Sequence, residues 1–177
     1  MKLYPIISII VTIGVAGVSC VNNSNIKSSD MIVQQADGTI SLKLEKAAVY
    51  NCEENPANNT AEWNFVVSRP GRFGVWLSTA TKDTMNLRYP SSVKINLQDE
   101  RIEARPVGDK IILNASDVKY PYYRADSYIG TFYIEQPGEY SLQVINEKVV
   151  PGNLKEDTSI GAESTRMMSV VLAPMTR

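Results

Sequence analysis

The sequence predicts an all-β protein with the fold of an antiparallel β-sandwich, and three observations predict it. Short apolar segments alternate with polar residues at a period of two, which is the spacing of a strand with one buried face. Two similar segments, 63–77 and 130–144, each place a Pro-Gly pair between two such strands. No segment keeps a helical period over the ~10 residues that a helix needs. Two packed layers of strands are therefore expected.

The first residues have the layout of an export signal. Lys2 precedes an apolar run from Leu3 to Val18, and small residues lead into Cys20. The run is shorter than the ~20 residues of a membrane span. The layout resembles the signal peptides of bacterial lipoproteins, which implies cleavage after Ser19 and diacylation of Cys20. An ordinary signal peptide with cleavage nearby is the alternative.

The resemblance divides the chain into a signal peptide (1–19), a lipidated flexible tether (20–30) and a β-sandwich domain (31–177). In lipoproteins of Gram-negative bacteria, a residue such as Val21 after the cysteine favours the outer membrane. We therefore expect an outer-membrane-anchored protein of the cell envelope, on either the periplasmic or the outer face. Lipid on Cys20 would leave Cys52 without an intramolecular disulfide, as a small semi-buried residue.

Composition argues against several function classes. The 18 Lys and Arg residues nearly balance the 19 Asp and Glu residues and are interspersed with them, so no basic stripe exists for nucleic acid. The chain has no histidine, which removes the usual general base and the commonest zinc ligand. A carboxylate-only hydrolase would need two acids at glycosidase spacing, and nothing pairs the available ones, Glu53, Glu54, Asp126 and Glu139. We expect no enzyme and no catalytic residue.

The strands follow in order along the chain. A first strand carries Ile40, Leu42 and Leu44 after an Asp37-Gly38 turn signal. The two Pro-Gly segments are interpreted as hairpins whose apolar residues share one face: Trp63, Phe65 and Val67 with Phe73, Val75 and Leu77, and Phe132 and Ile134 with Tyr140 and Leu142. Further strands are predicted at 93–97, 102–107, 111–113 and 167–172, for eight or nine in all.

Four segments resemble the galactose-binding-like jelly roll, the fold of several carbohydrate-binding modules and of domains attached to bacterial glycosidases and sulfatases. These are 37–40 leading into 44–47, the Trp63 strand ending in Pro70-Gly71, Gly130-Thr131-Phe132, and 169–174. The resemblance implies a jelly-roll sandwich whose ligands commonly lie at loops on one end. None of the segments is a catalytic signature, and the fold also serves structural and adhesive roles.

Trp76 is the first candidate binding residue. It lies out of phase with the inward residues of its strand and shares the outer face with Arg72, Gly74 and Ser78, so its ring forms a platform on which a sugar could stack. Tyr133 has the equivalent outward phase in the second segment. The alternative is that a loop or the tether covers Trp76 as ordinary packing.

The segment 119–128 is the second candidate. It offers four tyrosines, Tyr120, Tyr122, Tyr123 and Tyr128, interleaved with Arg124 and Asp126, and planar rings beside an Arg and a carboxylate suit the recognition of vicinal sugar hydroxyls. The alternative is a crossover whose tyrosines fill the open end of the core.

The loop 51–60 is rich in Asn and acids and could give oxygen ligands to a structural calcium ion, with Glu45 as an extra ligand. A solvated loop is the simpler interpretation, so no metal site and no cofactor are predicted.

Farther along the chain, Asp83-Thr84-Met85 resembles a bacterial O-glycosylation sequence.

These observations lead to two hypotheses. The first is a lipid-anchored, non-catalytic envelope protein that binds carbohydrate through exposed aromatic residues. The second is a structural or accessory lipoprotein that docks on another envelope protein without sugar affinity.

Overall fold

The computed structural model describes residues 31–150 and 165–176. The predicted signal peptide (1–19) and the predicted tether (20–30), which includes Cys20, lie outside the described residues. In chain order the strands are β1 (Ile32–Val33), β2 (Ile40–Lys43), β3 (Ala48–Tyr50), β4 (Thr60–Val67), β5 (Gly71–Thr81), β6 (Val93–Leu97), β7 (Glu100–Ala104), β8 (Lys110–Ile112), β9 (Tyr123–Ile134), β10 (Gly138–Ile145) and β11 (Thr165–Pro174). Two short 3-10 turns occur at Leu44–Lys46 and Pro56–Asn58.

The strands form two sheets that pack face to face, which confirms the predicted β-sandwich. Sheet A has the order β1-β4-β10-β6-β7, with β3 also paired to β4. Sheet B has the order β2-β11-β5-β9-β8. All strand pairs are antiparallel except β1 with β4. Of the described strands, β1 and β3 were not predicted, and both pair with β4.

The two Pro-Gly segments are not hairpins, contrary to the prediction. At Pro70-Gly71 the chain leaves β4 in sheet A and enters β5 in sheet B, and after β9 it crosses back from sheet B into β10 of sheet A. Each segment is therefore an arch between the sheets. The two arches pair with each other, since β4 bonds to β10 and β5 bonds to β9.

The predicted inward residues are nevertheless correct. In an arch, as in a hairpin, alternate side chains of both strands point to the same interior, so the period of two does not separate the alternatives. The largest of these side chains are fully buried between the sheets: Trp63, Phe65, Phe73, Leu77, Phe132, Ile134 and Leu142. Tyr140 is only partly buried and stacks on Phe65 with ring centroids 6.1 Å apart.

Strand ends differ from the prediction at two places that concern the candidate sites. Strand β9 begins at Tyr123, so more than half of the segment 119–128, predicted as a tyrosine-rich loop, belongs to a twelve-residue strand. Strand β7 ends at Ala104, before the expected Val107. Because β9 begins at Tyr123, Arg124 and Asp126 lie on a sheet rather than on a loop.

Candidate functional site

The outer face of sheet B carries an open groove of about 370 Å³, which we call the Trp76 groove. Each of the five strands of sheet B contributes side chains to it, together with one residue from the loop before β9. The lining residues are Ser41, Lys43, Trp76, Ser78, Lys110, Asp117, Arg124, Asp126, Ser169, Val171 and Ala173.

Trp76 lies at the centre of this face. It pairs with Val171 of β11 on one side and with Tyr128 of β9 on the other. Its side chain points outward, as the alternation along β5 predicted, and it is half-buried. The Trp76 and Tyr128 rings meet edge to face, with centroids 5.4 Å apart and an interplanar angle of 60°. The Lys110 ammonium nitrogen lies over the Trp76 ring, 4.0 Å from its centroid.

A β-bulge places Tyr128 beside Trp76. Val75 pairs with Gly130, whereas the next residue, Trp76, pairs with Tyr128, so Ile129 is the extra residue on β9. A bulge shifts the alternation of its strand by one position. Tyr128 is thereby on the outer face, where strict alternation from Phe132 would place it inside.

Arg124 joins the two carboxylates of the groove. Its Nε and Nη2 donate to the two carboxylate oxygens of Asp126, each at 3.0 Å, and its Nη1 donates to Asp117 Oδ2 at 3.2 Å. Ser78 Oγ also donates to Asp126 Oδ1, at 2.7 Å. Burial alone would lower the pKa of Arg124, but the hydrogen bonds and charges of Asp126 and then Asp117 outweigh it and raise the pKa above its usual value.

The other two charged residues of the groove are lysines. Lys43 and Lys110 are both exposed, and within the described residues neither forms an ion pair. Neither lysine was predicted as a binding residue from the sequence. Lys43 was readable as an outward residue between Leu42 and Leu44, but a lysine on an outer face is common and carries no signal by itself.

Tyr133 lies on the same face of sheet B but outside the groove. It pairs with Arg72, four residues along β5 from Trp76, which corresponds to about 13 Å of strand. Its side chain is 60% exposed. With Arg72, Glu135 and Met175 it lines a second depression of about 490 Å³ at the arch end of the sheet.

Tyr120, Tyr122 and Tyr123, which were predicted as binding residues in segment 119–128, do not line the Trp76 groove. Tyr120 is 88% exposed before β9. The Lys82 ammonium nitrogen lies over the Tyr122 ring, 5.0 Å from the ring centroid. Tyr123 has the inward phase at the start of β9, opposite Thr81. Of the predicted binding residues, the structure therefore brings Trp76, Arg124 and Asp126 together.

In the loop considered for calcium, Asn55 and Asn59 hydrogen-bond to backbone groups, whereas Asn51 Oδ1 is buried without a hydrogen-bond partner among the described residues. Asn59 Oδ1 accepts from the backbone N–H of Cys52 at 2.8 Å, and its Nδ2 donates to the Val149 carbonyl at 3.1 Å. Asn55 Oδ1 accepts from the Ala57 N–H at 3.3 Å. Over residues 31–150 and 165–176, no group of three or more His, Cys, Asp or Glu residues is placed to hold a metal ion. Cys52 is buried and is not a free thiol.

The fold is shared with solved structures, whereas no protein-family model and no curated protein matches the chain. It is similar to an α-L-fucosidase from Vibrio sp. strain EJY3, with a TM-score of 0.64 and 21% identity over 81% of this chain. It is also similar to the Podospora anserina GH26-CBM35 β-(1,4)-mannanase, with a TM-score of 0.45 and 9% identity over 80% of this chain. The chain spans 24% and 28% of these two proteins.

Within the described part of the chain, no helix has the length and apolar character needed to cross a membrane. The similarity to the fucosidase shows the fold, a β-sandwich.

Proposed function

We propose that this protein is a non-catalytic carbohydrate-binding β-sandwich that holds its ligand in the Trp76 groove. The observation that carries the proposal is the half-buried Trp76 ring at the floor of an open groove lined by hydroxyl, carboxylate and guanidinium groups. The similar solved structures include a fucosidase, an enzyme that acts on carbohydrate, and this supports the same ligand class here.

The groove combines the two interactions that sugar recognition requires. The C–H face of a pyranose ring packs against an aromatic ring, which gives apolar contact without a deep pocket. Sugar hydroxyls pair with planar groups that donate and accept in one plane, such as a guanidinium and a carboxylate. Trp76 supplies the first interaction, and Arg124 with Asp126 supplies the second.

The polar part of the groove is held in place before any ligand arrives. Asp126 is fixed by two bonds from Arg124 and one from Ser78, and its side chain is only 13% exposed. Groups that are already ordered lose little conformational entropy on binding. A shallow groove can therefore bind a sugar with useful affinity.

A glycan-array screen of residues 25–177, with and without calcium, tests the proposal. Hits are then titrated by tryptophan fluorescence, because Trp63 is fully buried and Trp76 is not, so ligand in the groove acts on Trp76 emission. We expect Trp76→Ala to lose at least about tenfold in affinity, since stacking and burial of one ring amount to ~1.5 kcal/mol or more.

Tyr120→Ala is the matched control, since it removes an exposed aromatic ring outside the groove. If Tyr120→Ala abolishes binding and Trp76→Ala does not, the ligand lies on the segment before β9 and the groove assignment is wrong. A blank array with a folded protein would overturn carbohydrate binding and favour docking on another envelope protein, which recurrent cross-linked protein partners in cells would identify.

We also propose that Cys20 carries a lipid that anchors the protein in the outer membrane. The signal-like sequence up to Ser19 supports this. A lipid on Cys20 would leave Cys52 without a disulfide partner in this chain, whereas Cys52 is not a free thiol, so the state of Cys20 has to be measured directly. Mass spectrometry of the protein from its native membrane should show a diacylated N-terminal Cys20. A Cys20–Cys52 disulfide in that sample would contradict the anchor.

A further inference from the structure

We propose that the glycan recognised by the Trp76 groove is anionic, with carboxylate or sulfate groups on its sugar units. This inference rests on the proposed carbohydrate-binding function and adds the class of sugar. It follows from how the charges of the groove are paired and from where the unpaired ones lie.

Among the residues that the structure describes, the groove has five charged side chains, of which three are cationic and two are anionic. Both carboxylates, Asp117 and Asp126, already bind Arg124. The positive charges of Lys43 and Lys110 are left without a carboxylate among the described residues. The charge that the groove offers to a ligand is therefore positive, and an acidic group on the ligand complements it.

The two lysines occupy opposite ends of one row across sheet B. Residue pairing runs from Lys43 to Ser169, to Ser78, to Asp126 and to Lys110. Lys43 lies on β2 and Lys110 on β8, which are the two edge strands of this sheet. Four strand spacings separate their backbones by about 19 Å. This span exceeds one sugar ring, so the geometry suits an oligosaccharide with acidic groups on more than one unit.

Lys110 also distinguishes charged from neutral ligands at the stacking ring. Its ammonium lies over the Trp76 face, where the cation is attracted by the negative charge of the π-system. A neutral sugar that stacks on this face displaces the ammonium and offers it only uncharged oxygen acceptors. An acidic sugar displaces it and offers a charge-assisted hydrogen bond in return, so the exchange favours the anionic ligand.

Matched ligand pairs that differ only in charge test this inference. We would measure binding of the full-length protein, solubilised in detergent, to polygalacturonate and its methyl ester, to carrageenan and chemically desulfated carrageenan, and to sialyllactose and lactose. We expect at least one acidic member to bind at least about tenfold more tightly than its neutral partner, with affinity falling as salt is raised. The uronate, sialate and sulfate pairs distinguish carboxylate from sulfate recognition.

Lys43→Gln and Lys110→Gln should each lower the affinity for the acidic ligand by about tenfold, because each removes a hydrogen bond between charged groups. Lys94→Gln makes the same change on sheet A and is expected to leave the affinity unchanged. Equal binding of acidic and neutral members, or unchanged affinity in both groove variants, overturns the anionic preference and leaves carbohydrate binding in place. No binding to any member, together with a blank array, overturns both.

Discussion

Trp76 and Tyr128 are direct cross-strand neighbours whose rings meet edge to face 5.4 Å apart, and this pair depends on the bulge at Ile129. Tyr128 is fixed in turn, because its hydroxyl lies 2.6 Å from Thr131 Oγ1. The Trp76 ring at the floor of the groove is thus held by an aromatic neighbour whose position the backbone irregularity determines.

Tyr128 should act as a positioning residue for Trp76. Tyr128→Ala removes the edge contact, so we expect a more mobile Trp76 ring, a stability loss of about 0.5–1.5 kcal/mol and weaker glycan binding. Acrylamide quenching of Trp76 emission in a Trp63→Phe background, provided that this variant folds, measures ring exposure directly. Tyr133→Ala, outside the pair, is the control. Unchanged quenching in Tyr128→Ala would show that the pair does not hold the ring.

Asp117→Asn should increase the affinity for an acidic glycan by about twofold to fivefold. The substitution removes a negative charge from the groove but leaves Arg124 doubly bonded to Asp126. The gain is small because the Asp117 side chain is 41% exposed and its charge is screened. Calorimetric titration with the best acidic ligand gives the ratio, and Asp99→Asn in the β6–β7 turn is the control. A lower affinity in Asp117→Asn would mean that this carboxylate itself binds the sugar.

Tyr89 should make the protein unstable at alkaline pH. Burial raises the pKa of its phenol well above the ordinary 10, although the hydrogen bond with Thr79 Oγ1 at 2.9 Å opposes the shift and the charge of Glu147 adds to it. A raised pKa in the folded state means that stability is complete below about pH 10. Above that pH the unfolded chain loses the proton while the folded protein keeps it, so stability falls as pH rises.

Tyr89→Phe tests this expectation by urea unfolding between pH 7 and 11. At pH 7 the variant should lose about 1 kcal/mol with the hydrogen bond to Thr79. Above pH 10 the difference should shrink or reverse, because the variant has no proton to release. Tyr120→Phe, which removes an exposed phenol, is the matched control. Parallel curves for wild type and Tyr89→Phe across this range would contradict the assignment.

Gln34 ties the loop after β1 to the first arch. Its Nε2 donates to the carbonyls of Gly38 at 2.8 Å and Arg69 at 3.2 Å, and its Oε1 accepts from the Arg69 N–H at 2.7 Å and from the Ser68 N–H and hydroxyl. We expect Gln34→Ala to cost about 1–3 kcal/mol, since it leaves the buried Gly38 carbonyl unpaired and removes the part-buried bonds to Ser68 and Arg69. Gln35→Ala changes the adjacent exposed residue and should cost less than about 0.5 kcal/mol. Denaturant unfolding gives the loss in free energy of unfolding for each variant. Equal losses would show that the hydrogen bonds of the Gln34 side chain are unimportant for stability.

The candidate site was predictable in part. Trp76 was found because it breaks the inward phase of Phe73, Val75 and Leu77, and this local rule needs no partner strand. Arg124 and Asp126 were found by composition, although on a predicted loop rather than on β9. The two lysines could not be found, because Lys43 and Lys110 are distant in sequence and meet one groove only through the order of five strands.

By itself the sequence determined the fold class and the inward residues of segments 63–77 and 130–144, since a period of two specifies which side chains share a face. It did not determine whether 63–77 and 130–144 are hairpins or arches, because both place the same residues inside. Tertiary structure decided that, and with it the pairing of β5 with β9, the bulge that turns Tyr128 outward and the row that ends in two lysines. The physical reason is that alternation selects a face, whereas hydrogen-bonding partners are selected by the packing of the whole sandwich.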